Sequence, residues 1–398
     1  MSDAPKSTAP KSLARRPAWP TSVSRPVVTP LQPSVVYSSP DPDGLDQQYE
    51  DGSGFTYARE GHPNATVLAQ KIDSLEGVDG GIITGSGMSA VGAVFLGVLQ
   101  AGDHIIGADQ LYGRTLRLMT EDLPKFGVDT TLADPTDADA IAAAIQPNTK
   151  MVVVEVVSNP TIRVADMEGI AKLCHDRGLL LMVDNTFTTP RSYLPFENGA
   201  DIVIHSVTKL LAGHSDATLG YAVAKDPALM DKINVANVTW GLTPSPFDCW
   251  LAERGLQSFD LRYDRAEATA TALSEALSGL DGVTKVLHPS RPDHPDHNRV
   301  AQVLGHRPGN MMSFEVAGGR AAANALTNAA RDLPFAPTLG DVGTTLSHPA
   351  SSSHRALTEE GRAALGISEG FFRVSVGLED PQLLIDELTH AIAESQKA

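Results

Sequence analysis

The chain has 398 residues, 42% of them hydrophobic, which is enough for a substantial core and for two domains, or one large and one smaller. Its net charge of −17 argues against nucleic acid, whose phosphate backbone would repel such a surface, and points to an acidic soluble protein of the cytoplasm. Two cysteines, Cys174 and Cys249, with no CxxC pair, imply neither a disulfide framework nor a zinc cluster, and no apolar run approaches the ~18–20 residues of a membrane span.

Met1 to about Pro30 is rich in Pro, Ser, Lys and Arg, with Asp3 its single acid. Its prolines oppose an amphipathic targeting helix and it has no apolar secretion core, so a disordered tail is expected. Residues up to about Phe55 read as an extended, irregular arm, and 1–60 are set apart as tail and arm. Val67, Leu68, Ile72 and Leu75 predict a helix over 64–77 that stops at Gly77. A glycine-rich stretch, Gly80 to Met88, leads into an apolar small-residue helix ending near Gln100. Strand-like runs follow at His104–Ala108, Met151–Val157, Leu179–Val183, Ile202–His205 and Leu219–Ala224, with helical runs near 115–124, 137–145 and 166–177. Strands apolar throughout, alternating with helices, predict an α/β fold with a mostly parallel sheet covered on both faces, spanning 61–250. From about Phe247 to Leu280 a long helix is expected, carrying Glu253, Arg254, Arg262 and Arg265. Strand-like pieces at Val283–Leu287, Met312–Val316 and Phe371–Val376 then place a smaller α+β domain over 251–398.

Two apolar runs end in groups of opposite character. Leu179–Val183 leads to Asp184-Asn185-Thr186, and Ile202–His205 leads to Ser206-Val207-Thr208-Lys209. A carboxylate at one strand end and an amine at a later one match the needs of pyridoxal phosphate (PLP). The amine condenses with the aldehyde, and the carboxylate holds a proton on the pyridine nitrogen so that the ring accepts electrons. Gly85-Ser86-Gly87-Met88 precedes a helix, so free N–H groups and the helix dipole would meet a phosphate there, with Ser206 and Thr208 adding hydroxyls. Tyr112 offers a flat ring for stacking. The same glycines mimic a dinucleotide fingerprint, Gly85-x-Gly87-x-x-Ala90, but that rival lacks an early N-terminal βαβ setting and leaves Lys209 and Asp184 without a role.

The motifs extend along most of the chain: Tyr57-Ala-Arg59-Glu-Gly-His-Pro63, Gly85-Ser-Gly-Met88, Leu111-Tyr-Gly113, Ser158-Asn-Pro-Thr161, Asp184-Asn-Thr-Phe187, His205-Ser-Val-Thr-Lys209 with Gly213-His-Ser-Asp216, Pro244-Ser-Pro-Phe-Asp-Cys249, His348-Pro-Ala350 and Arg373-Val-Ser-Val-Gly-Leu-Glu379. In these the chain resembles, from about Tyr57 to Glu379, the trans-sulfuration family of PLP enzymes of cysteine and methionine metabolism. That family includes cystathionine γ-synthase, cystathionine γ- and β-lyases, methionine γ-lyase and homoserine-ester sulfhydrylases. The resemblance implies the aspartate-aminotransferase-like fold (fold type I). It implies that Lys209 carries the cofactor and shuttles protons, that Asp184 pairs with the pyridine nitrogen, and that Tyr112 stacks on the ring and acts in proton transfer. It gives the phosphate to Gly87, Met88, Ser206 and Thr208, with Tyr57 and Arg59 reaching it from a neighbouring subunit. A homo-oligomer with shared sites is implied, a tetramer built as a dimer of dimers. Arg373, helped by Asn159, would grip the α-carboxylate of a small amino-acid substrate, a task that suits the planar guanidinium fork.

Departures from the family pattern are expected to tune specificity. Ala58, His62 and Asn64 alter the surroundings of the arm. In Thr338-Leu-Gly-Asp-Val-Gly343-Thr344-Thr345, Gly343 stands where cystathionine γ-enzymes carry glutamate, and this segment, including Thr344, is expected beside the distal end of the substrate. Arg117 matches an arginine of those enzymes, and Arg114 stands where methionine γ-lyases carry cysteine. These features favour a lyase acting on an amino acid with a leaving group on Cγ, cystathionine γ-lyase-like. The alternatives are γ-replacement on an acyl-homoserine, cystathionine β-lysis, or γ-elimination from an oxygen analogue such as canavanine. The run His288-Pro-Ser-Arg-Pro-Asp-His294-Pro-Asp-His297 mimics a metal cluster, but its prolines suit ligand geometry poorly and a surface loop is expected. Cys249 reads as packed, and His214 and Asp216 as ordering the loop after Lys209.

Overall fold

A computed structural model describes residues 22–355 and 357–398. Most of the expected N-terminal tail, residues 1–21, lies outside the described residues.

The first sheet has seven strands: β1 (Ile82–Thr84), β2 (His104–Ala108), β3 (Asp129–Ala133), β4 (Thr149–Glu155), β5 (Leu180–Asp184), β6 (Ile202–His205) and β7 (Gly220–Ala224). Their spatial order is β1-β7-β6-β5-β4-β2-β3. β2 through β6 pair in parallel, whereas β7 runs antiparallel to both β6 and β1. Met151–Val154, Leu181–Val183 and Ile202–Ile204 are buried, as expected of strands with helices on both faces. β1 and β3 were not legible. β1 is three residues inside the glycine-rich stretch, and β3 is a half-exposed edge strand with no apolar run.

The second sheet is antiparallel, in the order β10-β11-β9-β8: β8 (Val283–Leu287), β9 (Met311–Val316), β10 (Thr345–Ser347) and β11 (Phe371–Ser375). Phe314 and Phe372 stack at 5.6 Å in its core, which the helices Phe259–Leu277, Gly319–Ala329 and Pro381–Ser395 cover.

Three expectations are corrected. The arm contains a helix, Pro42–Asp51, capped by Asp41, whose carboxylate accepts the Gly44 N–H at 2.8 Å. It buries no residue, so no apolar stripe announces it. The long helix after Phe247 is two, Pro246–Leu256 and Phe259–Leu277, parted at Gln257-Ser258.

The His288–His297 run is a loop, but only partly a surface one. His288 and His294 are buried, and their Nε2 atoms bond the carbonyls of Gly309 (3.1 Å) and Ile162 (2.9 Å). Asp296 accepts the Arg163 guanidinium at 2.7 and 2.8 Å and the Val164 N–H at 3.0 Å. The run therefore straps down the segment that begins with Ser158-Asn159. Among the described residues no His, Cys, Asp and Glu cluster could hold a metal, and no helix is long and apolar enough to cross a membrane.

Candidate active site

Three adjacent strand ends meet at one edge of the large sheet. β4 ends in Glu155 and β5 in Asp184, which are register partners. β6 ends in His205, and the chain then turns through Ser206 to Lys209. The Thr186 hydroxyl accepts the Ser206 N–H at 2.7 Å, tying the ends of β5 and β6 together. A cavity of about 260 Å³ opens above them. Glu155, Asp184 and Lys209 line it together with Ser86, Gly87, Met88, Tyr112, Asn159, Ser206, Thr208 and Arg373.

Lys209 sits on a turn that is braced from two sides. The buried Arg262 guanidinium donates to the carbonyls of Leu210 (2.9 Å) and Leu211 (3.0 Å), so the turn cannot swing. Gly340 packs against the same turn from the other side. It has φ +83°, and an added Cβ would stand 2.5 Å from the Leu210 nitrogen. The Lys209 amine reaches the Thr338 hydroxyl at 3.4 Å. Burial first, and the Arg373 charge second, pull its pKa below the ordinary lysine value, which favours the neutral, nucleophilic amine.

Asp184 accepts the Thr186 N–H at 3.0 Å. Burial raises its pKa, so in the protein alone its ionised form is disfavoured and a cation placed over it would be strongly held. Beneath it lies a buried polar layer in which Glu76 accepts from the Asn185 amide at 3.0 Å and bonds His205 Nε2 at 2.5 Å.

At the other end, Ser86 caps the helix Gly87–Val98, its hydroxyl accepting the Ser89 N–H at 3.0 Å. The first N–H groups of a helix have no intrahelical partner. Gly87 is required there, because an added Cβ would lie 2.7 Å from Ser206 Cβ. The Thr208 hydroxyl donates to the Leu219 carbonyl at 3.2 Å and lines the same corner.

Arg373, on β11, closes the cavity from the second sheet. Its Nη1 donates to Asn159 Oδ1 at 2.9 Å and its Nη2 to the Thr338 carbonyl, while Nε is buried without a protein partner among the described residues. Burial pulls its pKa down to about 10, still cationic at neutral pH. The residues therefore fit PLP and an amino acid: a helix N-terminus for phosphate, a buried carboxylate for a ring cation, a neutral amine for an aldehyde, and a guanidinium with an unused donor for a carboxylate.

Several expected site residues stand elsewhere. Thr344 is fully buried away from the cavity. Its N–H and hydroxyl both donate to Glu379, at 2.6 and 2.8 Å, and its hydroxyl accepts the Gly377 N–H at 2.9 Å. Thr344→Val should therefore lower stability by about 2–3 kcal/mol, by leaving the half-buried Glu379 carboxylate short of a donor and the buried Gly377 N–H without its acceptor, with KM unchanged. A thermal melt and one saturation curve check it. Gly343 packs beside Asp341 and Glu379, not in the cavity. Arg114 and Arg117 are exposed and outside the lining, and Arg117 pairs with Glu121 at 3.1 Å. Tyr57 and Arg59 border other hollows of the same chain. The Arg59 guanidinium lies over the Tyr57 ring, 5.5 Å from its centre, and also reaches the Val238 carbonyl at 3.4 Å. Of the Thr338–Thr345 segment, Thr338 and Leu339 do line the cavity, with Pro337, Ser352 and Ser353 beside them. Glu155 was missed as well, although a lone carboxylate inside an apolar strand run was the available signal.

A family model described as Cys/Met metabolism PLP-dependent enzyme matches residues 16–393. A cystathionine beta-lyase of Bacillus subtilis is 37% identical over 350 residues, covering 88% of each chain. An L-methionine gamma-lyase of Porphyromonas gingivalis is 37% identical over 342 residues, covering 85% of each. Among solved structures, a cystathionine gamma synthase of Xanthomonas oryzae pv. oryzae superimposes with a TM-score of 0.88 at 36% identity, over 93% of this chain and 94% of that one. A putative O-acetylhomoserine (thiol)-lyase of Campylobacter jejuni, solved with N'-pyridoxyl-lysine-5'-monophosphate, has a TM-score of 0.89 at 25% identity, over 94% and 97%. With its strand-end amine and carboxylate, its fold and these likenesses, the chain belongs to the Cys/Met metabolism family of PLP-dependent enzymes, of fold type I.

Proposed function

We propose that the enzyme eliminates or replaces a sulfur or oxygen leaving group on Cγ of an amino acid in trans-sulfuration-type metabolism, with elimination releasing a 2-oxo acid and ammonia. One observation carries the site assignment: a neutral-leaning amine, Lys209, and the carboxylate anchor Arg373–Asn159 face one cavity floored by Asp184. PLP supplies the electron sink for the pair left at Cα. Lys209 would hold the cofactor through its amine. As a free amine it would take the Cα proton and, for a leaving group on Cγ, a Cβ proton before that group departs, and would return a proton at Cγ. Asp184 keeps the ring nitrogen protonated. Gly87, Met88, Ser206 and Thr208 receive the phosphate, and Tyr112 covers the ring.

Tyr57 and Arg59 act in the site of a neighbouring copy. They are exposed and outside this chain's own cavity, and Arg59 reaches the Val238 carbonyl of the helix Pro227–Thr239, where Val235 and, just past its end, Trp240 are exposed. A homotetramer of paired dimers is the assembly we propose, and the net charge of −17 supports a cytoplasmic setting. β-Elimination is the second reading, favoured by the likeness to a cystathionine beta-lyase.

A panel assay separates them. Cystathionine, methionine, homocysteine, acyl-homoserines and canavanine are each supplied with and without a thiol. γ-Elimination from cystathionine gives 2-oxobutanoate and cysteine, whereas β-elimination gives pyruvate and homocysteine. Pyruvate alone would overturn the γ reading.

A further inference from the structure

Glu155 is a cavity-lining carboxylate to which the chemistry above gives no task. It ends β4 directly across from Asp184, and both carboxyls line the cavity at the same sheet edge, Glu155 buried and Asp184 half-buried. Their partners differ. Asp184 accepts the Thr186 N–H and feels the His205 ring, whereas Glu155 accepts one N–H, that of Tyr112, at 2.7 Å. Two like charges side by side at a largely buried strand edge disfavour each other. Burial first, and the charge of Asp184 second, push the Glu155 carboxyl well above the usual range. A neutral carboxyl still accepts the Tyr112 N–H through its carbonyl oxygen.

That N–H sits at a tight place. Tyr112 leads directly into the helix Gly113–Arg117, and a Cβ added at Gly113 would stand 3.0 Å from the Ser353 carbonyl. The turn carrying the Tyr112 ring is thus held by Glu155 and packed against the Ser353 backbone.

We propose that Glu155 is a positioning residue of the active centre: by accepting the Tyr112 N–H it pins that residue's backbone, so that the ring stays seated over the cofactor. The proposal rests on the assignment of Lys209 and Asp184 to PLP.

The test uses the holoenzyme and the variants Glu155→Ala and Glu155→Gln, read by the visible circular-dichroism band of bound PLP, by titration of apoprotein with PLP, and by kcat/KM. Glu155→Ala leaves the Tyr112 N–H without its acceptor, so the band should fall by about half or more and kcat/KM by about 10–100-fold. Glu155→Gln, neutral and still an acceptor, should recover at least about half of the lost band and most of the lost rate. An Ala variant with the parental band and rate overturns the proposal. So does a Gln variant that binds PLP yet is as impaired as Ala, because a negative charge would then be what matters. If the Ala variant does not fold, the Gln variant decides alone: a parental band supports the proposal and a collapsed band overturns it. A parent protein without a visible band would instead sink the PLP assignment itself.

Discussion

Lys209→Ala should abolish turnover while leaving a folded protein. The loss expected is about 10⁴-fold, the upper end for removing a positioned acid–base group, because the same side chain also holds the cofactor. Folding should survive because the turn does not depend on the amine. Arg262 fixes the carbonyls of Leu210 and Leu211, and Gly340 packs against the turn's backbone. The amine itself bonds the Thr338 hydroxyl at a long 3.4 Å, so its removal costs the fold little. Borohydride treatment of the parent should bleach its yellow colour and add a pyridoxyl phosphate to the Lys209 peptide on mass spectrometry. The variant should take up no fixed label. Retained turnover, or label on another lysine, would remove Lys209 from the mechanism.

How much of this could be read in advance depended on what each residue's neighbours were. Lys209 and Asp184 were legible because each breaks an apolar strand run at its end, and only sheet edges put such residues together. Gly87 was legible because a glycine before a helix has few other uses. Arg373 and Asn159 needed the family motifs, since they lie 214 positions apart and meet only when the second sheet closes over the first. Thr344, Gly343, Arg114 and Arg117 show the limit of motif matching. A position can be aligned while its side chain turns to a different partner, as Thr344 turns to Glu379. Glu155 was overlooked because its carboxylate sits inside Met151–Val157, where strand periodicity says "buried" and says nothing of which edge. The prolines around His288 and His294 suggested surface, whereas the ring nitrogens are spent on buried carbonyls that brace the Asn159 segment. Tyr57 and Arg59 carry motif signal yet stand outside this chain's own cavity.

Asp184→Asn should part function from stability. Asn keeps the size and the acceptor for the Thr186 N–H but cannot stabilise a ring cation. The expected cost is about 3–5 kcal/mol, the penalty for removing one partner of a buried charge pair, or roughly two to four decades in kcat/KM. Apoprotein stability should move the other way. Burial raises the Asp184 pKa, so the folded apoprotein holds that proton more tightly than the unfolded chain. Its contribution to stability is full below the ordinary carboxylate value near ~4 and is lost as pH climbs past it toward the raised folded value. Glu155, pushed up partly by the Asp184 charge, shares the loss. Removing the Asp184 charge relieves both groups, so at neutral pH the Asn apoprotein should melt at or above the parent temperature. PLP should stabilise the parent more than the variant, because ring nitrogen and carboxylate neutralise each other only when both can be charged. Melting curves of apo and PLP-loaded protein at two pH values, with the variant's kcat/KM, check all of this. An Asn variant that keeps parental activity and gains as much from PLP as the parent would remove the carboxylate from the cofactor's electronics.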